Sequence, residues 1–302
     1  MFDKVFLKQT ELVIRCLPLI ERYPSFSLKG GTAINLFVRD MPRLSVDIDL
    51  TYVPFSDRET ALDDIDLTLK NIAQAIKSHI PRTEVQNKTI SQKVVRLSVY
   101  TDEAQIKIEP NLVLRGTVYP VEERELCQEA QNQFEMFVKA SCLAEAELFA
   151  GKLCAALDRQ HPRDLFDTKK LFDQKHLTPN LMEGFLFCLF SSKRPLIEIL
   201  QPNFLDQEST LTNQFAGMAV ESFTYTMFEN ERKRLLAAIH KNMTPQQKQM
   251  IISFAEGQPD WLYEDWGKYP GIAWKLQNIN KLKHKNPDKY RDQITQLEKA
   301  IH

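Results

Sequence analysis

Residues 29 to 49 read Lys-Gly-Gly-Thr-Ala-Ile-Asn-Leu-Phe-Val-Arg-Asp-Met-Pro-Arg-Leu-Ser-Val-Asp-Ile-Asp. Two glycines, Gly30 and Gly31, precede Thr32, which begins a short apolar segment that Pro42 and Arg43 break. Residues 46 to 50 then alternate as a strand. Side chains two apart on a strand leave on the same face, so Asp47 and Asp49 point together and Ile48 points the other way. Two adjacent carboxylates repel unless cations lie between them. Glycines opening a helix, followed by a strand that presents paired carboxylates, point to a site for phosphate plus divalent metal.

Outward from this stretch, residues 25 to 28 form a short β-like lead into the glycines. Thr32 can cap a helix from Ala33 to about Val38 by accepting a backbone N–H bond. Residues 94 to 100 alternate as a second strand, 101 to 104 make a turn, and 105 to 109 return as the other arm of a hairpin. Ile106 and Ile108 share one face of that arm, which leaves Lys107 and Glu109 on the other. Glu109 is thereby expected as a third carboxylate on the polar side of the sheet, although a lone glutamate at a strand end is ordinarily a solvated charge. Residues 3 to 22 and 57 to 79 have helical spacing, with a kink or restart expected at Pro18.

Residues 140 to 158 have the Ala/Leu content of a strong helix. After a break, Pro162 and Asp164 sit where a helix start favours a proline and a carboxylate. Lys152 falls in an apolar part of its helix and needs a partner or an anionic ligand. From about residue 175 helical patterns dominate (181–191, 215–240, 245–256, 272–284, 288–301) and no strand pair is evident. A boundary is expected at 170 to 180, near His176-Leu-Thr-Pro, giving a core domain of residues 1–172 and a helical domain of 173–302. The last stretch carries Lys275, Lys281, Lys283, His284, Lys285, Lys289, Arg291 and Lys299, just after Trp261, Tyr263, Trp266, Tyr269 and Trp274. Aromatics beside cations could stack on nucleotides and pair with phosphates. A packed helical subdomain with a solvated cationic face is the reading favoured here.

The 302 residues suffice for one large domain or two ordinary ones. Thirty-nine basic residues against 40 acidic ones leave a net charge of −1, which excludes a broadly basic protein without excluding a local basic surface. No uncharged apolar run approaches the roughly 20 residues that span a bilayer, and the amino terminus lacks the apolar core of a signal peptide. Five scattered cysteines without a CxxC pair fit reduced thiols rather than a disulfide framework or zinc site. A cytoplasmic protein that does not engage membranes is expected.

Lys29-Gly-Gly-Thr32, Leu44-Ser-Val-Asp-Ile-Asp-Leu50, Ile106-Lys-Ile-Glu109 and the run from Lys152 through Arg159 to Arg163-Asp-Leu-Phe-Asp167 occur in that order. Together they resemble the four-part signature of the AbiEii/AbiGii toxin family, nucleotidyltransferase-like toxins of type IV toxin–antitoxin systems that include the mycobacterial MenT group. A Gly-Gly-Thr or an Asp-x-Asp alone would carry little; four in sequence carry much. The resemblance spans residues 26 to 170 and continues loosely to residues 270–279.

It implies an α+β fold: a DNA polymerase β-like nucleotidyltransferase core with a small mixed sheet, followed by a helical C-terminal domain. It implies two Mg²⁺ ions held by Asp47, Asp49 and Glu109, with NTP as substrate. Lys29, Gly30, Gly31, Thr32, Ser45 and Arg163 would bind the nucleotide. Asp47 and Asp49 would be catalytic together with Lys152, which neutralises phosphate charge, and Asp164, which orients Lys152 or the nucleotide. The acceptor implied is the 3′ end of tRNA, with translation blocked, a cognate antitoxin encoded nearby, and a monomeric toxin. The alternatives are nucleotidyl transfer to a protein or small-molecule hydroxyl, and a non-catalytic nucleotide-binding module.

Overall fold

The computed structural model describes residues 1–174, 177–264 and 266–301. Two compact units arise from the chain: residues 1–148 with 215–222, and residues 149–214 with 223–302. The division falls within a helix rather than at 172/173, and the stretch 215–222 returns to the first unit. His176, beside which a boundary was expected, lies outside the described residues.

The first unit is built on one mixed seven-stranded sheet of order β3-β4-β5-β2-β1-β7-β6. Its strands are β1 (Phe26–Lys29), β2 (Asp47–Tyr52), β3 (Glu84–Ile90), β4 (Lys93–Tyr100), β5 (Gln105–Asn111), β6 (Glu122–Glu125) and β7 (Lys139–Cys142). Its helices are α1 (Lys4–Ile20), α2 (Gly30–Ala33, prolonged as a π-helical turn over Ile34–Val38), α3 (Arg58–His79) and α4 (Gln128–Phe134). Helix α1 runs through Pro18 to Ile20 without the restart expected there, capped by Asp3 accepting from the Val5 N–H. Asp57 caps α3 by accepting from the Glu59 and Thr60 N–H groups.

The strand β2 lies between β1, antiparallel, and β5, parallel. One face of this centre carries Leu28, Ile48, Leu50, Ile106, Ile108, Leu97 and Val99, all buried, with α1 and α3 packed on it. Each such side chain contributes roughly 1.5–3 kcal/mol on burial. A one-residue slip of β2 would bury Asp47 and Asp49 in their place, so apolar burial fixes the register that aims the carboxylates. The β4–β5 hairpin forms as expected, closed by the Thr101 N–H donating to the Ala104 carbonyl. Strands β3, β6 and β7 were not expected. Residues 139–142, assigned in part to a helix on their composition, pair instead with β6, and Cys142 pairs with Leu28 of β1. Sheet pairing overrides Ala/Leu propensity here.

Helix α5 (Glu145–Arg159) begins in the first unit, and its residues from Phe149 belong to the second. The second unit continues with α6 (Pro162–Phe172), α7 (Pro179–Ser191), α8 (Leu196–Leu200), α9 (Glu208–Gln214), α10 (Tyr225–Asn242), α11 (Pro245–Ala255), α12 (Pro270–Lys285) and α13 (Pro287–Ile301). The helix expected from residue 215 starts only at Tyr225. The segment before it lies against the first unit, where Ala219 bridges Arg43 and the Leu44 N–H donates to the Met218 carbonyl.

The aromatic cluster packs largely as core, as favoured above, with the exception of Trp274, which is exposed. Trp266 is buried and meets Phe187, Phe190, Trp261 and Tyr263 with ring centroids 5.1 to 6.3 Å away. Buried Lys275 of α12 donates to the carbonyls of Leu189 and Arg194 and to Ser192 Oγ at 2.7 to 2.9 Å. This closes the C-terminal end of α7, where carbonyls lack partners within the helix and a cation is favoured. No helix among the described residues is long and apolar enough to cross a membrane.

Candidate functional site

The glycine turn and the carboxylate strand meet closely. Register pairs Lys29 with Asp49 across β1 and β2, and Asp49 with Glu109 across β2 and β5; Asp47 pairs with Lys107. Residues paired across strands share a face, so Lys29, Asp47, Asp49, Lys107 and Glu109 stand on the side opposite the apolar core. All five are half-buried.

Gly30 has φ +71°, a left-handed conformation that a side chain resists. A Cβ there would lie 2.5 Å from Asp49 Oδ2. At Gly31 a Cβ would lie 2.6 Å from Arg43 Nη2 and 3.1 Å from Ser45 Oγ. Both glycines are therefore required by close approach: the first lets the backbone reach Asp49, the second admits a buried arginine.

Thr32 does not cap the following helix. Lys29 occupies the N-cap position without a side-chain bond, and Thr32 sits inside the first turn. Its buried hydroxyl lies 2.5 Å from the Asp47 carbonyl and 2.9 Å from Ser45 Oγ. Ser45 is buried too, and its carbonyl accepts from Thr10 Oγ1 at 3.0 Å. The Thr32 and Ser45 hydroxyls thus fasten the glycine turn to the start of β2 and hold Asp47 in place.

Glu109 Oε1 is 3.2 Å from Arg96 Nη1 on the neighbouring strand. The three carboxylates share a face without being drawn into a cage. Among the described residues no group of three or more His, Cys, Asp or Glu side chains is arranged to hold a metal ion. The donor chemistry nonetheless suits a hard divalent cation, since carboxylate oxygens are what Mg²⁺ and Ca²⁺ take. Asp49 meets that requirement as it stands, Asp47 supplies the same donor type beside it, and Glu109 meets it once released from Arg96.

Two residues of this neighbourhood escaped sequence reading. Arg43, read only as a helix breaker, is 2% exposed, donates to the Leu44 carbonyl and lies against Gly31. Glu147 is also buried. Its Oε2 accepts from the Val118 and Tyr119 N–H groups at 3.1 and 3.4 Å, and its Oε1 has no hydrogen-bond partner. Burial pushes the Glu147 carboxyl up to about 7, against those two N–H groups and the charge of Lys29. An arginine after Pro42 and a glutamate in the first turn of a helix both read as surface charges, and neither carries a signal in sequence.

The fourth motif lies in the second unit as a buried ion cluster. Lys152 Nζ is 2.7 Å from Asp164 Oδ1 and 3.0 Å from Asp167 Oδ2, and all three side chains are at most 5% exposed. Arg159 adds two bonds to Asp164, Nε to Oδ2 at 2.5 Å and Nη2 to Oδ1 at 3.0 Å. Burial opposes the Asp164 charge, but Lys152 and Arg159 outweigh it and hold the carboxyl well below the usual range. Arg163 is half-buried, and its backbone N–H donates to His161 Nδ1.

A mixed sheet with acidic residues in register on one face, followed by a helical region, is a nucleotidyltransferase fold. The chain belongs to the family described as the nucleotidyl transferase AbiEii toxin of type IV toxin–antitoxin systems, which it matches over residues 12–278. Among solved structures it is similar to MenT4, a nucleotidyltransferase toxin from Mycobacterium tuberculosis H37Rv, with a TM-score of 0.63 at 15% identity, covering 91% of this chain and 93% of that one. At that identity the likeness is one of fold. No curated protein matches.

Proposed function

We propose that the protein is an Mg²⁺-dependent nucleotidyltransferase toxin that transfers NMP from an NTP to the 3′ end of a tRNA and so blocks translation. The observation that supports this most is the apposition of the Gly30 backbone to Asp49, with Glu109 in register beside it. Backbone N–H groups at a glycine turn attract phosphate, and a carboxylate pair attracts the cation that accompanies it.

In this reading Asp47, Asp49 and Glu109 hold divalent cation, as two ions, which when bound neutralises phosphate charge. Lys29, Gly30 and Gly31 face the phosphates, and Arg163 belongs to the nucleotide-binding set. Thr32 and Ser45, whose hydroxyls are committed to each other and to β2, position the turn and Asp47. Lys152 and Asp164, expected from sequence to be catalytic, are committed to each other in the buried cluster, and in this reading they hold that part of the fold rather than touch the phosphates. The acceptor hydroxyl oxygen forms a bond to the α-phosphorus, the bond from that phosphorus to the bridging oxygen breaks, pyrophosphate leaves, and the hydroxyl proton passes to base or solvent. Family membership adds an antitoxin encoded nearby. The toxin itself is read as a cytoplasmic monomer.

The test is incubation of the protein with each labelled NTP, Mg²⁺ and total tRNA, with Asp49→Ala in parallel. Label is expected on tRNA with the wild type and not with the variant. Label on protein or a small molecule instead would move the acceptor to the alternative class. No transfer by the wild type to anything, or equal transfer by Asp49→Ala, would reject the reading.

A further inference from the structure

Helix α12 contains no acidic residue, and its cations fall into two groups. Lys275 is buried and spent on the end of α7. Lys281, Lys283 and Lys285 are exposed, as is Lys289 at the start of α13, and none of these four makes an ion pair among the described residues. Lys8, Lys70, Lys93, Lys139 and Lys268 each have a carboxylate at 2.6 to 3.2 Å. Other exposed lysines, such as Lys88, Lys233 and Lys241, have none among the described residues, and what sets α12 apart is that its lysines gather on one helix without an acid. The charge at the end of α12 is left over in a chain whose net charge is −1.

The arrangement of that charge is ordered. At about 100° per residue, Trp274, Asn278, Lys281 and Lys285 follow an i, i+4, i+7, i+11 stripe along one side of α12. Ile279 and Leu282, with Lys275, lie about a quarter-turn round the helix and line an apolar pocket shared with Leu196, Ile197 and Leu297. Trp274 is 43% exposed, unlike the buried Trp266. The helix dipole favours cations in the last turn, which accounts for Lys283, His284 and Lys285. It accounts neither for Trp274 nor for Lys281, which at i, i+4 from Lys285 places like charges together at a cost of a few tenths of a kcal/mol.

We propose that this stripe is the docking surface for the RNA acceptor, with Trp274 stacking on a base of a single-stranded end and Lys281 and Lys285 pairing with its phosphates. An exposed aromatic in line with unpaired cations is what single-stranded nucleic acid takes. The proposal rests on the reading of the protein as an RNA nucleotidyltransferase and names the part of the second unit that holds the substrate.

The experiment compares the full chain with Lys281→Glu/Lys285→Glu and with Trp274→Ala, in binding to labelled tRNA across salt and in NMP transfer. These side chains are exposed, so unchanged thermal unfolding is expected and is checked first. Wild-type log affinity should fall linearly with log salt, and loss of two cations should reduce that slope by about 1.4. Both variants should bind at least about fivefold more weakly, with KM for RNA raised and kcat retained. A double reversal at Lys233 and Lys241 of α10, also exposed, should change none of this.

Equal binding and slope in wild type and stripe variants would overturn the docking surface while leaving RNA transfer standing. An equal loss on reversal at Lys233 and Lys241 would also overturn it, since bulk charge would then explain binding. Stripe-dependent sedimentation with phosphatidylserine vesicles, alongside unchanged RNA binding, would overturn it in favour of a lipid surface. Absence of both RNA binding and RNA transfer in the wild type would remove the proposal together with the reading it rests on.

Discussion

Asp49 and Asp164 belong to acidic motifs of one family signature, yet the molecule treats them in opposite ways. Asp49 is half-buried and its carboxylate makes no hydrogen bond or ion pair among the described residues; what approaches it is the bare backbone of Gly30. Asp164 is 1% exposed, tied to Lys152 and Arg159, with Asp167 on the same ammonium. The first arrangement leaves negative charge unsatisfied on a surface whose register the apolar face dictates. The second consumes its charge internally. Charge left over is available to a ligand, whereas charge consumed holds the fold together, and only the first state needs an outside partner to complete it.

The sharpest way to break this comparison is Lys152→Met. Removing one partner of a buried ion cluster leaves uncompensated charge and typically costs about 3–5 kcal/mol. Urea unfolding should show the free energy of unfolding of Lys152→Met lowered by that amount, read as a lower midpoint at unchanged slope, with partial recovery in Lys152→Met/Asp164→Asn/Asp167→Asn. An unchanged midpoint with abolished transfer would mean that the ammonium is not spent inside the second unit, and the two regions would then be alike.

Next in size is Asp49→Asn, which keeps shape and removes charge. NMP transfer should drop at least about a hundredfold, the scale of one lost electrostatic contact to a developing charge. Thermal stability should hold or rise slightly, because repulsion with Asp47 and Glu109 is relieved. A lowered melting temperature would make Asp49 a structural residue like Asp164.

Gly30→Ala tests the link between turn and carboxylate. The left-handed conformation costs a residue with a Cβ about 1–2 kcal/mol, and the added methyl would collide with Asp49 Oδ2. Stability by denaturant titration should fall by that amount while transfer falls further, since Asp49 must shift. Equal proportional losses would show that the turn matters only for folding.

The comparison also shows what could be read from the chain alone. Alternation in residues 46–50 and 105–109 placed Asp47, Asp49 and Glu109 on one face because apolar partners at every second position leave no other register. Helices α3, α7, α11, α12 and α13 followed from helical spacing. Strands β3, β6 and β7 did not: β3 is almost wholly exposed and so carries no burial pattern, and β6 and β7 are four residues each. Arg96 beside Glu109, Arg43 beside Gly31 and Lys152 between two aspartates are long-range or medium-range contacts of charged residues. Arg96 carries no signal singly, Arg43 reads as a breaker, and Lys152 reads as needing a partner without naming one; only the fold reveals which charges meet. The role of Thr32 shifted for the same reason, since its hydroxyl finds a strand carbonyl before it finds its own helix.

The smallest effect at about pH 5, and one that builds with pH, is specific to a single buried carboxyl of the first unit. Burial lifts Glu147 from its ordinary 4.5 to about 7. The native state therefore binds a proton in a window where the unfolded chain has released it, and the contribution of Glu147 to stability declines as pH rises from about 4.5 through 7. The slope from one such group is at most about 1.4 kcal/mol per pH unit. Glu231, raised to about 7 by burial, pulls in the same direction, while His161, lowered to about 4, pulls the other way. The informative quantity is thus the difference between wild type and Glu147→Gln. The amide oxygen still accepts from Val118 and Tyr119, so structure is retained, and the variant should gain on the wild type steadily between pH 5 and 7. If the difference is flat across that range, Glu147 is charged throughout, and its partnerless oxygen must be satisfied by Lys29. The carboxylate face would then contain one internally consumed charge of the Asp164 kind, and the contrast between the two regions would be one of degree.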